Sequence, residues 1–169
     1  MKAYGHHFST VLGPMFCAVD DGGRTVGLAF IADRPPAGAE DAMRKRGYDL
    51  TLDALRCVDV ERQTREFCEG RRREFNCEVA LATGTAFQQR VWAALREIPF
   101  GTTATYGDVA RSLVGDTRRS RAVGQAIGSN PCSLVVPCHR VVGVGKALTG
   151  FAWGLALKKQ LLALEKQVA

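Results

Sequence analysis

Polar and apolar positions change their period several times along this chain. Residues 15–19 and 25–31 are apolar, strand-like runs, and the Asp-Gly-Gly between them supplies a tight turn, so they predict a hairpin. "DRPPAGAEDAMRKRG" predicts a loop around Pro35 and Pro36, then a short helix. Over 50–69 the spacing becomes helical. Leu52, Leu55, Val58 or Val60, and Phe67 would form one apolar face, and Gly70 ends the run. "RRREFNCEVAL" looks like a strand returning to the sheet, with Arg71, Arg72 and Arg73 in a solvated turn. These segments predict a small α+β domain over 1–80: an antiparallel sheet with a helix.

The second half, 81–169, is patterned mostly as helix. Thr85 with Gln88 three residues on has capping-box spacing. Phe87, Val91, Leu95 and Ile98 follow at helical intervals until Pro99 and Gly101. "TYGDVARSL" predicts a second helix with Thr105 as N-cap and Asp108 in its first turn. After "VGDT", "RRSRAVGQAIGS" predicts a third. Two short helices joined by a Gly-containing turn, the second basic at its start, match a helix-turn-helix. "NPCSLVVPCHRVVG" is predicted to be extended. "WGLALKKQLLALEKQVA" closes the chain as an amphipathic helix, with Leu155, Leu161, Leu162 and Leu164 inside and Lys158, Lys159 and Lys166 in solvent. The fold class is therefore α/β in the α+β sense, with two domains.

Charge sharpens this division. Residues 1–79 hold 12 Lys/Arg against 13 Asp/Glu, while residues 80–169 hold 11 against 4, and the total is +6. A basic second half is consistent with a polyanionic partner; a basic surface kept for solubility is the competing reading. No segment has the length and apolarity of a membrane span, and "MKAYGHHFSTVLGPMF" lacks the apolar core of a secretory signal. A soluble cytoplasmic protein is expected, with no membrane partner. The six cysteines form no C-x-x-C pair, so zinc spacing is absent and no metal is expected. Free thiols are expected rather than disulfides, and most such thiols are small buried hydrophobes.

One stretch stands apart. In "LVVPCHRVVG", Cys138, His139 and Arg140 are contiguous between apolar flanks. A thiol becomes nucleophilic when a base, a cation or a helix N-terminus lowers its pKa. In an extended segment, however, neighbouring side chains point to opposite faces. Direct Cys138–His139 contact then requires a sharp turn, which Pro137 favours, or a bridging water. On the residues alone, Cys138 is an activated nucleophile beside a helix pair or a core cysteine with polar neighbours.

"GTAFQQRVWAALREIPFGTTATYGDVA", "RAVGQAIGSNP", "PCHRVVG" and "LTGF…G…KKQLL…E" occur in that order over 84–165. This series resembles the O6-alkylguanine-DNA alkyltransferases (methylated-DNA–protein-cysteine methyltransferases). "STVLGPMFCAVDDGGRTVGLAF" resembles the less specific N-terminal sheet of the same family. The resemblance implies repair of duplex DNA containing O6-alkylguanine, and of O4-alkylthymine. The base is flipped out and its alkyl group moves irreversibly to the protein's own cysteine, once per molecule and without a cofactor. A monomer is implied, acting singly or cooperatively on DNA.

By the same resemblance, Cys138 accepts the alkyl group, His139 takes the thiol proton through a water, and Glu165 orients His139. Asn130 holds the turn that presents Cys138, and Tyr106 donates a proton to the base. Val141, Phe151 and Ala152 line the pocket, with the carbonyls of Cys138 and Val141 accepting from the guanine amino group. Arg121 enters the base stack, and Ala122, Gly124, Thr105 and Arg118 face DNA. Each has an ordinary structural alternative: a solvated acid for Glu165, a turn cap for Asn130, packing for Tyr106, a surface charge for Arg121. Cys132 is read as structural, and the adjacent His6 and His7 near the terminus are read as carrying no role. Phe151 stands where the family has Tyr, which keeps a pocket wall and loses a hydroxyl. Cys138 argues against the non-catalytic relatives, which carry Trp there. Two rival functions remain: a non-enzymatic module that binds damaged DNA, and a hydrolase using Cys138, His139 and Glu165.

Overall fold

The computed structural model describes residues 1–31 and 37–169. The loop expected at Pro35 and Pro36 lies outside the described residues. The chain forms two compact units: Met1–Thr83 with Pro131–Val135, and Gly84–Asn130 with Val136–Ala169.

The first unit is built on a four-stranded sheet, β1 (Lys2–Thr10), β2 (Gly13–Asp20), β3 (Thr25–Phe30) and β4 (Asp49–Leu52), in the order β3-β2-β1-β4. β1 and β3 flank β2 in antiparallel pairing, with His6 opposite Cys17 and Cys17 opposite Leu28. β4 runs parallel to β1, so the sheet is mixed where a purely antiparallel one was expected. The β2–β3 hairpin falls where alternation and Asp-Gly-Gly put it. One face carries Ala3, Phe16 and Ala18, which pack with Met43 of α1 (Ala37–Lys45) and with Val26, Ile31 and Tyr48. Packing there is tight enough that a Cβ on Gly5 would lie 2.6 Å from the Phe16 ring.

The helix α2 (Ala54–Cys68) packs on β1 and β2. The sequence pattern started it too early. Residues 50–52 belong to β4, and Asp53 caps the helix by accepting from Leu55 N–H. Its apolar face also differs. Cys57, Val60, Thr64, Phe67 and Cys68 are buried, whereas Leu52, Leu55 and Val58 are 58%, 85% and 55% exposed. The buried set follows i, i+3, i+7 spacing; the exposed leucines merely look helical on paper. The strand expected in "RRREFNCEVAL" does not form. That segment contributes an isolated bridge, Thr25 to Val79. Pro131–Val135, assigned by sequence to the second domain, groups with this unit. Leu28 N–H donates to Pro131 O at 2.9 Å and Ser133 N–H to Leu28 O at 2.8 Å. The expected extended run breaks here too, because Leu134 sits at φ +70°, a left-handed conformation costly for a side-chain-bearing residue.

The second unit holds α3 (Ala86–Arg96), β5 (Ala104–Thr105), α4 (Tyr106–Val114), α5 (Ser120–Gly128), β6 (Val141–Val142) and α6 (Leu155–Val168). Thr85 and Thr105 both close complete capping boxes, with Gln88 and Asp108 respectively. α4 stops at Gly115, whose φ of +68° is open to glycine without penalty. A 3-10 turn, Thr117–Arg119, then leads into α5. α3, α4 and α5 pack on one another, and buried Trp92 ties α3 to α5 through Nε1–H to Ala126 O at 2.8 Å. No helix among the described residues is long and apolar enough to cross a membrane.

Candidate active site

The second sheet of the protein is only two residues wide, yet it assembles the site. β5 pairs with β6 in parallel, Ala104 with Val141 and Thr105 with Val142. Tyr106 begins α4 directly after β5, and the turn Cys138–Arg140 ends directly before β6. Two segments far apart in sequence are thereby brought side by side.

Cys138, His139 and Arg140 form a 3-10 turn, not the extended strand expected from the apolar flanks. Cys138 N–H donates to Val136 O at 2.8 Å, and Arg140 N–H to Pro137 O at 3.0 Å. Proline fixes φ at the entry, here −79°. In such a turn successive side chains fan outward rather than alternate. Three contiguous polar residues are thus buried together: Cys138 is 4% exposed, His139 0% and Arg140 7%.

The partners of these side chains converge on one carboxylate. His139 Nε2 lies 2.6 Å from Glu165 Oε1. Arg140 Nε donates to both Glu165 oxygens at 3.1 and 3.0 Å, and its Nη2 to Oε1 at 2.9 Å. Gly101 N–H adds a bond to Oε2 at 2.9 Å. Burial by itself would raise the Glu165 pKa. The hydrogen bonds and charge from His139 and Arg140 outweigh it and hold the carboxyl at about 2. Burial also pushes His139 below its usual value, against the pull of Glu165. An ionised carboxylate only accepts, so Nε2 carries the imidazole proton and the lone pair of neutral His139 is on Nδ1.

The thiol of Cys138 is pushed up by burial, with the Asn130 side chain and the charge of Lys158 acting in the opposite direction. Asn130 also donates from Nδ2 to Val136 O at 2.9 Å, two residues before the cysteine. Lys158, expected in solvent, is completely buried. Its ammonium donates to Val141 O at 2.5 Å and Thr149 O at 2.7 Å. Two carbonyls compensate for the lost water, and burial lowers the Lys158 pKa. Tyr106 Oη donates to Thr149 O and Gly150 O, each at 3.2 Å. Tyr106 and Lys158 together hold the chain that leads to Phe151. Phe151 is half-buried and edge-on to Trp153, with centroids 5.3 Å apart, while Ala152 is exposed. The Val141 carbonyl, assigned by resemblance to a guanine amino group, accepts Lys158 here and retains a second lone pair.

The remaining candidates are spread over the helix pair. Arg121 is exposed at the start of α5, and Ala122 and Gly124 are half-buried. Gly124 faces the Tyr106 ring, where a Cβ would make ordinary contact at 3.8 Å. Arg118 is almost fully exposed and paired with Asp116 at 3.1 Å. The Thr105 hydroxyl is committed to capping α4. In the other unit, His6 pairs with Glu61 and His7 with Glu40. Among the described residues, no group of three or more His, Cys, Asp or Glu side chains is arranged to hold a metal ion.

Sequence reasoning missed Arg140, Lys158 and the Gly101 amide. A signal existed for Lys158: positions 158, 161 and 165 lie at i, i+3 and i+7, on the buried stripe of α6. Arg140 was flagged only by its place between apolar flanks. Gly101 acts through its backbone, which no side-chain pattern reports.

Residues 86–167 match the family model described as 6-O-methylguanine DNA methyltransferase, DNA binding domain. The methylated-DNA–protein-cysteine methyltransferase of Mycolicibacterium paratuberculosis is 39% identical over 147 residues, covering 84% of this chain and 88% of that protein. The inducible enzyme of that name from Bacillus subtilis is 46% identical over 147 residues, covering 85% and 81%. The crystal structure of Mycobacterium tuberculosis O6-methylguanine methyltransferase superposes with a TM-score of 0.83 at 34% identity, over 99% of this chain and 94% of that one. A structure of the M. tuberculosis protein in complex with DNA gives the same TM-score at 33% identity, over 100% and 95%. An α+β chain with a buried Cys-His-Arg turn locked to a helix glutamate therefore falls in a known class of cysteine-bearing transferases. The chain belongs to the methylated-DNA–protein-cysteine methyltransferase family.

Proposed function

We propose that this protein repairs duplex DNA by moving the O6-alkyl group of guanine onto Cys138. The observation that carries this reading is the buried turn that joins Cys138 to the His139–Glu165 pair. The thiol proton passes through a water to His139 Nδ1, and Sγ attacks the saturated alkyl carbon in line. A carbon–sulfur bond forms as the carbon–O6 bond breaks, and the electron pair leaves with guanine. Tyr106 delivers a proton to the departing base, and the proton held by His139 returns through solvent to the Tyr106 phenolate, so the net transfer is one proton from thiol to guanine. Before this, Tyr106 must exchange its carbonyl partners for the base. A phenol is protonated at neutral pH, as a donor requires, and burial raises the Tyr106 pKa further.

The reacting carbon is shielded within the base stack, so the nucleotide is flipped out to reach Cys138. Arg121 fills the gap, and Ala122 and Gly124 let α5 approach closely. Such contacts carry no base code, which suits a protein that must find damage in any sequence. α4 and α5 serve as the helix-turn-helix. The Val141 carbonyl selects the base through its amino group, Phe151 forms a wall and Ala152 the rim. O4-alkylthymine presents the same ether carbon and is the second substrate. The thioether is stable, so each molecule reacts once.

The test is mass spectrometry after incubation with an O6-methylguanine duplex. One methyl group on Cys138, with no further turnover, is the expected result; an unmodified protein after long incubation overturns the reading. Arg121→Ala should slow repair of the duplex at least ~10-fold, about 1.4 kcal/mol, and leave reaction with free O6-benzylguanine almost unchanged. Equal losses on both would make Arg121 structural.

A further inference from the structure

We infer that Arg140 is a positioning residue for this transfer: its guanidinium holds Glu165 as a carboxylate, so that His139 meets the thiol as a neutral base. The inference rests on the alkyl-transfer reading above, and it concerns how the buried cluster stores its protons.

Only one of three protonation states of the His139–Glu165 pair is useful. If the proton lies on Glu165, the acid donates to Nε2, and neutral His139 then carries its proton on Nδ1. If His139 is a cation, both nitrogens are protonated. In either state Nδ1 cannot accept a proton from Cys138. The useful state has ionised Glu165 and Nε2-protonated neutral His139, and it leaves one net negative charge in a deeply buried site. Such a charge is strongly disfavoured unless a cation balances it.

Arg140 supplies that cation in a suitable shape. Its Nε bridges both carboxylate oxygens, Nη2 adds a third contact, and Nη1 is anchored on Ile98 O at 2.7 Å. The planar fork satisfies two oxygens at once, which a lysine ammonium cannot reproduce. The other charged and titratable groups around His139 do not substitute for it. From α6, Lys158 spends its ammonium on Val141 O and Thr149 O. Cys138 is a thiol raised by burial, and Tyr106 on α4 is neutral and donates to carbonyls. The downward shift of His139, to which the Arg140 charge contributes after burial, agrees with this assignment.

The experiment uses the full chain with 15N-labelled histidine, with His6→Gln and His7→Gln to assign the three histidines. In the wild type, the His139 15N shifts at pH 7 should report Nε2 protonated and Nδ1 bare. In Arg140→Gln, Nδ1 should become protonated. Methyl transfer at pH 7 should fall at least ~10-fold, and the acid limb of the pH–rate profile should move up by about one unit or more. Arg140→Lys should keep the limb within about half a unit of wild type, because the charge remains. A folded Arg140→Gln protein with bare Nδ1 and an unmoved limb overturns the inference. If that variant does not fold, the wild-type spectrum decides, since a protonated Nδ1 at pH 7 overturns the inference equally. Failure of the wild type to methylate Cys138 would sink the alkyl-transfer reading, while the 15N shifts still report the charge state that Arg140 imposes.

Discussion

Helix α2 and the Cys138 turn use the same pair of residue types, Arg and Glu, to opposite effect. On α2, Arg62 reaches Asp59 at 2.5 Å and Glu66 at 3.0 Å, and Arg65 reaches Glu61 at 2.7 Å. These are i,i+3 and i,i+4 pairs on a wet surface, and Arg62 is half exposed. Water and salt compete for every one of them. In the turn, Arg140 and Glu165 meet from positions far apart in sequence, and their side chains are only 9% and 1% exposed. There the charges cannot relax into solvent if one is removed. The number of ion pairs on a surface is thus a poor guide to stability, while breaking a single buried pair leaves a charge that water cannot compensate.

The largest break in this comparison should come from Glu165→Ala. It leaves Arg140 charged, and Gly101 N–H and His139 without their common acceptor, so a loss of about 3–5 kcal/mol in a denaturant titration is expected. A loss below about 1 kcal/mol would mean that the cluster is wet in solution.

Acid should produce the next largest effect. Glu165 is held at about 2 when folded, against an ordinary value of 4.5. The unfolded chain therefore binds the proton first. This contribution to stability is complete above pH 4.5 and is lost as pH falls from there toward 2, with a total of about 3 kcal/mol. His139 is shifted in the same direction and adds to the acid loss once pH drops below its ordinary 6.5. Glu165→Gln should flatten the stability curve below pH 4.5; an unchanged slope would assign acid sensitivity elsewhere.

The smallest effect is expected at the surface. Arg62→Ala on α2 should change stability by no more than about 1 kcal/mol at low salt, and less at high salt as the pairs are screened. A loss as large as that at Glu165 would mean that the α2 ladder acts as a network.

Local chemistry made much of the second unit legible before any coordinates. Thr85 and Thr105 announced helix starts, because a hydroxyl with Gln or Asp three residues on satisfies two amides within one turn. Cys138, His139, Asn130 and Tyr106 stood out as candidates through an ordered series of short segments that resembles a known family. The first unit was harder to read. β1, "KAYGHHFST", alternates poorly because His6 and His7 each find a glutamate partner on a helix. The start of α2 was misjudged because Leu52 and Leu55 keep helical spacing while facing water. Pro131–Val135 could not be assigned from within its own segment, since its hydrogen bonds go to Leu28.

By itself, the sequence determined the helix starts at Thr85 and Thr105 and the basic second half, because a cap depends on neighbours within a few positions and net charge on composition. Tertiary structure alone decided that the cysteine segment is a turn, that Lys158 is buried and that Arg140 shares Glu165 with His139. Those outcomes depend on charge and desolvation balanced between residues distant along the chain, and no local pattern carries that balance.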